Sequence, residues 1–192
     1  MPKILKKTLF GNPILRTTAK HLTIDEILSD DVQQTIKDMR YTVANKKYGV
    51  GLAAPQVGIP ISVALIAIKP TLTRPDRQVF NRVIINPKIL KTYGNRKRMW
   101  EGCISFGTGP NTPYGETYRY KNIDVQYFDE NGREIVEHLT GLPAHVFQHE
   151  LDHLNGVLFV DRLTSPKTLV CGSEFRKRIL PILKKEKAPD GD

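Results

Sequence analysis

The most informative part of this chain is residues 142–155, LPAHVFQHELDHLN. Its apolar side chains recur at helical spacing, and Pro143 is typical of a first helical turn. Asn155 and the Gly156 that follows it are typical of a helix end. We therefore predict an amphipathic helix over about 142 to 155, with its apolar face in the core of the protein.

The same segment contains an H-E-x-x-H pattern, formed by His149, Glu150 and His153. Residues four apart lie on one face of a helix, about 6 Å from each other, so that two imidazoles can hold one metal ion. The glutamate between them is then placed to act on a water molecule. His145 cannot share an ion with His153, because eight residues span about 12 Å of helix axis. We predict that His145 lines a pocket or packs in the core.

A catalytic metal site needs a third protein ligand and an open position for water. Position 159, where metzincins have a histidine, is Phe159. Two candidates remain. Glu174 lies at a distance typical of thermolysin-like proteases, and Cys103 would supply a thiolate, a strong ligand for borderline ions. Spacing alone leaves both open.

Periodicity elsewhere in the chain predicts two more helices and four strands. The helices run from Ser29 to about Tyr48 and from Ser173 to Lys187, and the strands cover 61–68, 83–90, 123–127 and 135–139, the last two as a hairpin. Residues 188–192 are expected to fray. Because strands and helices do not alternate as βαβ units, the predicted class is α+β, with antiparallel sheets packed on helices.

The composition is that of one globular domain, with 192 residues, 40% apolar and 26% charged. Two cysteines exclude a disulfide framework in a chain of this size. We find no apolar segment long enough to span a bilayer and no secretory signal at the N-terminus, so we predict a cytoplasmic protein without a membrane partner. The net charge of +9 suits a polyanionic partner but does not identify one.

A glycine-rich segment reads GVGLAAPQ from Gly49 to Gln56. Its two glycines allow another backbone to approach closely, which suits a segment that pairs with an extended peptide. The segment has neither the G-x-G-x-x-G pattern nor the G-K-[ST] ending of a phosphate-binding loop. It therefore predicts a loop that pairs with an extended peptide.

Three segments of this chain resemble, in the same order, the signatures of the peptide deformylase family. They are Gly49 to Gln56, Glu101-Gly102-Cys103-Ile104-Ser105, and Gln148 to His153. The likeness covers about residues 1–165. It implies antiparallel sheets around a central metal-binding helix, followed by a C-terminal helix. It also implies a hydrolase that removes the N-formyl group from the initiator methionine of nascent polypeptides and releases formate. The implied metal is Fe²⁺, one per chain, with Zn²⁺, Ni²⁺ or Co²⁺ as substitutes.

The resemblance also implies roles for individual residues. The implied metal ligands are Cys103, His149 and His153. Glu150 would move the proton, and Gln56 and the backbone N–H of Ile104 would donate hydrogen bonds to the oxyanion. The implied substrate-binding residues are Gly49, Val50, Gly51, Leu142 and His145, the last at a position where the family tends to have an apolar residue of the methionine pocket.

The chain departs from the family pattern after Ser105. Phe106 leads into a loop at 107–115, and the family's peptide-holding arginine has no obvious equivalent there. Two alternatives to a deformylase stay open: a zinc metallopeptidase with Glu174 as third ligand, and an altered relative that binds RNA or the ribosome.

We divide the chain into a catalytic domain, 1–172, and a basic C-terminal helix and tail, 173–192. The basic residues of the second part are Arg176, Lys177, Arg178, Lys184, Lys185 and Lys187. They predict contact with ribosomal RNA phosphates. We expect no sequence-specific binding to DNA.

Overall fold

The structure is a computed structural model that describes residues 1–46, 49–70 and 78–185. Its strands are β1 (Gly51–Ala53), β2 (Val63–Ile68), β3 (Phe80–Tyr93), β4 (Lys97–Gly102), β5 (Pro113–Arg119), β6 (Asn122–Phe128), β7 (Glu134–Thr140) and β8 (Val170–Cys171). Its helices are α1 (Ile24–Leu28), α2 (Asp30–Lys46), α3 (Gly141–Leu154), α4 (Gly172–Glu174) and α5 (Leu180–Lys185), with a π-helical turn at Phe175–Ile179 between the last two. Short 3-10 turns lie at Pro13–Arg16, Ala54–Val57, Ile104–Phe106, Phe159–Arg162 and Pro166–Thr168.

Two antiparallel sheets make up the β structure. The larger has the strand order β1-β2-β3-β6-β7, and the smaller has the order β4-β5-β8. The predicted α+β class is therefore confirmed. The predicted hairpin is also present, since β6 pairs with β7 from Asn122↔Thr140 to Phe128↔Glu134.

The larger sheet lies between two helices, and this explains the apolar run of β2. Ala64 and Ile66 face the core cluster that contains Phe147 of α3. Val63 and Leu65 face the other cluster, with Ile36 and Met39 of α2. A strand with both faces buried has apolar residues at consecutive positions, whereas a half-exposed strand alternates. This packing places α3 in the centre of the molecule.

The third strand is longer than the sequence predicts, with 14 residues. Its register shifts between Ile85 and Lys88, where Asn86 has a positive φ of 50°. The side chain of Asn86 accepts a hydrogen bond from the Leu22 N–H and donates one to the Leu22 carbonyl oxygen. Pro87 cannot donate to a ladder, and the bulge allows β3 to continue past it.

The predicted C-terminal helix is present as α4, the π-helical turn and α5. Pro181 lacks a backbone N–H, which breaks regular α-helical bonding in this segment. The predicted end of the helix at Lys187 and the predicted fraying of 188–192 lie outside the described residues. The boundary at 172/173 stays a prediction, and the Ser173 N–H donates to the Pro110 carbonyl oxygen across it, at 2.7 Å.

Within the described ranges, no helix has the length and apolar character needed to cross a bilayer.

Candidate active site

The central helix α3 presents both motif histidines on one face, as the spacing predicts. The rings of His149 and His153 lie 4.9 Å apart in an edge-on arrangement. Gly156 follows the helix with a φ of 71°, and a Cβ there would lie 2.7 Å from the backbone of Arg16. A glycine is therefore required at the point where the chain leaves this helix.

Cys103 lies at the end of β4 and joins the two histidines. Its Sγ is 3.3 Å from His153 Nε2, and the ligand atoms of Cys103, His149 and His153 all lie within 4.8 Å of one another. Within the described part of the chain, this is the group of potential metal ligands that the structure brings together. Glu174 lies outside it and pairs with Arg178. The geometry thus favours Cys103 over Glu174 as third ligand.

The electrostatics of this group favour a thiolate at Cys103. Burial alone would raise the pKa of the thiol, but the neighbouring His153 and His149 outweigh burial and hold the pKa well below its usual value. Burial would lower the pKa of His149, but Cys103 and Glu101 outweigh it and raise the pKa. A buried thiolate next to two imidazoles is a suitable donor set for a divalent transition metal.

A buried carboxylate, Glu101, orients the first histidine. His149 Nδ1 lies 2.9 Å from Glu101 Oε2, so the other ring nitrogen of His149 is free to act as a ligand. Arg119 Nε donates to Glu101 Oε1 at 2.6 Å, and Arg119 Nη1 donates to Asp152 Oδ2 at 2.6 Å. The Thr117 hydroxyl also donates to Glu101 at 2.7 Å. Sequence reasoning quoted Glu101 as part of a motif but missed this role.

His145 also packs against Glu101. It is buried, and its Nε2 lies 2.8 Å from Glu101 Oε1. This contact gives a buried polar side chain a hydrogen-bond partner. Packing in the core is one of the two placements that the sequence predicts for His145. Its implied role in substrate binding stays a prediction.

Gln56 points its amide nitrogen into the ligand group. Gln56 Nε2 lies 3.0 Å from His153 Nε2 and 3.3 Å from Cys103 Sγ. Its Oε1 accepts a hydrogen bond from the Ala53 N–H at 2.8 Å, which fixes which end of the amide faces the site. The side chain is therefore oriented as a donor toward the place where the ligands converge.

Glu150 is buried beside the ligands with an unused acceptor. Its Oε2 has no hydrogen-bond partner among the described residues, and neither does His153 Nδ1. Burial raises the pKa of Glu150 to about 7, although His149 and His153 act in the opposite direction. A carboxylate whose pKa lies near neutrality can both accept and return a proton.

The predicted peptide-binding segment forms the edge strand β1, which pairs with β2 alone in the larger sheet. A Cβ on Gly51 would lie 2.1 Å from Glu150 Oε1, so glycine is needed there for steric reasons. Gly49 precedes the strand with a positive φ of 62°. Val50 and Leu142 are half-buried against the core cluster of α3. An edge strand beside the ligand group offers free backbone groups to an extended chain.

Ile104 directly follows Cys103 and opens a 3-10 turn. The first N–H groups of such a turn have no partner within it, so the backbone N–H of Ile104 is available next to the ligand group. The Ser105 N–H, one residue later, donates to Cys103 Sγ at 3.4 Å.

A Cys/His/His group with a buried carboxylate beside it, on an α+β fold with an open edge strand, defines a metal-dependent hydrolase of peptide-like substrates. The family model described as polypeptide deformylase matches residues 4–169 of this chain. The chain belongs to the peptide deformylase family. It is a metal-dependent hydrolase that removes the N-formyl group from nascent polypeptides.

Individual relatives agree with this assignment. A peptide deformylase of Flavobacterium psychrophilum is 36% identical over 190 residues, which cover 94% of this chain and 91% of that protein. A peptide deformylase of Thermotoga neapolitana is 38% identical over 177 residues, which cover 92% of this chain and 94% of that protein. The crystal structure of the class I type b peptide deformylase from Acinetobacter baumannii bound to Met-Ala-Ser has a TM-score of 0.77 at 33% identity, covering 85% of this chain and all (100%) of that one. The crystal structure of the peptide deformylase from Thermotoga maritima has a TM-score of 0.72 at 36% identity, covering 84% of this chain and 99% of that one.

Proposed function

We propose that Cys103, His149 and His153 hold the catalytic metal and that Glu150 is the acid-base residue of deformylation. The observation that carries the proposal is the convergence of three donor atoms within 4.8 Å, next to a buried carboxylate oxygen without a partner. A divalent ion at this place supplies Lewis acidity, which lowers the pKa of water and polarises a carbonyl. The donor set suits Fe²⁺, Zn²⁺, Ni²⁺ and Co²⁺, and the family resemblance favours Fe²⁺.

The side chains around the ligands then divide the chemistry between them. Glu150 accepts a proton from the attacking water and returns it to the amine as the C–N bond breaks, which leaves formate and a free N-terminus. Gln56 Nε2 and the Ile104 N–H donate to the formyl oxygen as negative charge develops on it. Glu101 holds His149 in place throughout.

The substrate peptide is proposed to extend along β1. Gly49, Val50 and Gly51 are proposed to contact it, although the Val50 carbonyl oxygen already accepts a hydrogen bond from the Ala67 N–H at 2.8 Å. The absence of a side chain at Gly51 leaves room for both Glu150 and the formyl end. Leu142 and His145 are proposed to line the pocket of the methionine side chain. The contact between His145 and Glu101 would place a polar group at one end of that pocket.

Formate release tests the function directly. Purified protein loaded anaerobically with Fe²⁺ is incubated with formyl-Met-Ala-Ser, and formate and the free amine are measured together with metal content. We expect formate and amine in equal amounts. Cleavage of an internal peptide bond without formate would instead support the metallopeptidase alternative.

Air should inactivate the iron form faster than the zinc form. The reason is that Fe²⁺ and the Cys103 thiolate are both oxidisable, whereas Zn²⁺ has no redox chemistry. Matched samples of the two forms are kept in air and assayed over time. Equal half-lives would contradict the proposal that iron is the more vulnerable metal.

We also propose that the enzyme works in the cytoplasm and contacts the ribosome through its C-terminal segment. Arg176, Lys177 and Arg178 are exposed there. The ring of Phe175 packs against Tyr114 of β5, which supports a fixed position for these charges on the body of the enzyme. The side chains of Lys184, Lys185 and Lys187 lie outside the described residues.

Charge reversal at two of these residues should weaken ribosome binding. Arg176→Glu with Lys177→Glu is expected to reduce co-sedimentation with ribosomes at low salt, because phosphate contacts contribute affinity that depends strongly on salt. Activity on formyl-Met-Ala-Ser should be unchanged. The control is Lys37→Glu with Lys88→Glu, which makes the same change in net charge at other exposed sites. Equal co-sedimentation of both variants and the unaltered enzyme would refute the ribosome contact.

A further inference from the structure

The C-terminal segment is anchored to the smaller sheet by one buried aromatic ring. Phe175 is only 8% exposed. Its ring stacks on that of Tyr114 at 4.3 Å between centroids, with 3° between the planes, and lies 5.4 Å from the ring of Trp100. Tyr114 belongs to β5 and Trp100 to β4, so Phe175 contacts both strands that lead to and from the ligand Cys103.

Tyr114 in turn covers the backbone next to Cys103. A Cβ on Gly102 would lie 2.9 Å from the Tyr114 ring, which shows how closely the ring approaches the main chain there. Gly102 immediately precedes Cys103. A continuous series of contacts therefore runs from Phe175 through Tyr114 to the end of β4.

The same segment holds the loop at 107–112, which follows the 3-10 turn of Ile104. The Ser173 N–H donates to the Pro110 carbonyl oxygen at 2.7 Å. A Cβ on Gly172 would lie 3.1 Å from the carbonyl oxygens of Pro110 and Thr112. Strand β8 pairs with the first two residues of β5, directly after the loop. The middle and the C-terminal end of the loop are thus held by residues that lie outside the loop.

The edge strand and the end of β4 reach the helix α3 from different sheets. Gly51 of β1 lies against Glu150, whereas Cys103 approaches His153 from the smaller sheet. A peptide that extends along β1 with its formyl end at the ligand group would therefore meet the end of β4, which is followed by Cys103, and the chain that continues from it into the loop at 107–112. Phe175, Tyr114 and the Ser173 N–H hold this part of the chain in position, and none of them is proposed to touch a reacting atom.

We propose that Phe175 is a positioning residue for peptide binding: by stacking on Tyr114 it holds the end of β4 and the loop at 107–112 as the second wall of the peptide site. This inference rests on the proposed site. Without the ring, the wall is ordered only when the peptide binds. The free-energy cost of that ordering lowers the affinity of the enzyme for the peptide. Cys103 keeps its own contacts with His153 and Gln56, so the chemical step is expected to change little.

The test separates KM from kcat with two substrates. For Phe175→Ala we expect roughly a tenfold higher KM for formyl-Met-Ala-Ser, with kcat within about threefold of the unaltered enzyme and full metal content. The KM of formyl-Met-amide, which extends less far along the wall, should rise by less than about threefold. Phe175→Tyr keeps the stacked ring and should restore both values.

The control is Ile182→Ala, at a residue of the same segment that is 56% exposed and should change neither constant. If Phe175→Ala does not fold, Phe175→Leu, which keeps apolar volume without a ring, is judged by the same criteria. An unchanged KM for formyl-Met-Ala-Ser, an equal rise for both substrates, or a fall in kcat with metal loss would overturn the proposal. The unaltered enzyme tests the proposed function separately, through formate release.

Discussion

Glu150→Gln is expected to keep its metal and to lose about 10²- to 10⁴-fold in kcat, the usual contribution of a positioned acid-base group. The amide preserves the shape of the side chain, which is buried against Gly51, but it cannot accept a proton from water. Formate release from formyl-Met-Ala-Ser is measured at equal metal content. The loss should appear in kcat, because Glu150 is proposed to act on the transferred proton and not on peptide affinity.

A matched control exists for this substitution. Glu134→Gln makes the same chemical change at an exposed residue of β7, and its kcat should equal that of the unaltered enzyme. Normal turnover by a metal-loaded Glu150→Gln enzyme would remove Glu150 from the mechanism.

Cys103→Ala is expected to abolish tight metal binding. Only two protein ligands then remain, His149 and His153, whereas catalytic sites of this kind use three. The substitution also removes the thiolate that the two histidines stabilise. Metal per chain is measured by elemental analysis after gel filtration, and we expect a fall from about one to near zero, with activity lost in parallel.

The chain provides its own control in its second cysteine. Cys171 is exposed and lies in β8, so Cys171→Ala should retain full metal content. Glu174→Ala should also retain it. Loss of metal in Glu174→Ala together with its retention in Cys103→Ala would favour the metallopeptidase over the deformylase site.

The ligand group rests on a set of buried charges that compensate one another. Glu101 is held by Arg119, and Arg119 also donates to Asp152. Asp152 accepts further hydrogen bonds from Arg162 at the surface, at 2.9 Å and 3.2 Å. A buried charge without a partner is costly, so each member of this series requires the next. The orientation of His149 therefore depends on residues that belong to four separate segments of the chain.

Sequence periodicity was sufficient for elements whose burial follows a simple pattern. The helices α2 and α3 and the hairpin of β6 and β7 have apolar residues at helical or alternating spacing, and the structure has them close to the predicted positions. The H-E-x-x-H spacing likewise determines that His149 and His153 share a face, because helix geometry alone sets that relation. The family was recognisable from three short motifs, and this likeness proposed Cys103 as third ligand when spacing could not.

The smaller sheet could not be predicted from local sequence patterns, because the burial of its residues depends on distant parts of the chain. Strand β4 reads KRMWEG, and its buried residue is the charged Glu101, while Lys97 and Arg98 are exposed. Glu101 is buried there only because Arg119, His145 and His149, from 18, 44 and 48 positions away in the chain, supply its partners. No local pattern reports such a partner. For the same reason the sequence shows Phe175 only as one apolar residue of a helix, and only the tertiary structure packs its ring on Tyr114 of β5, near the proposed metal ligands.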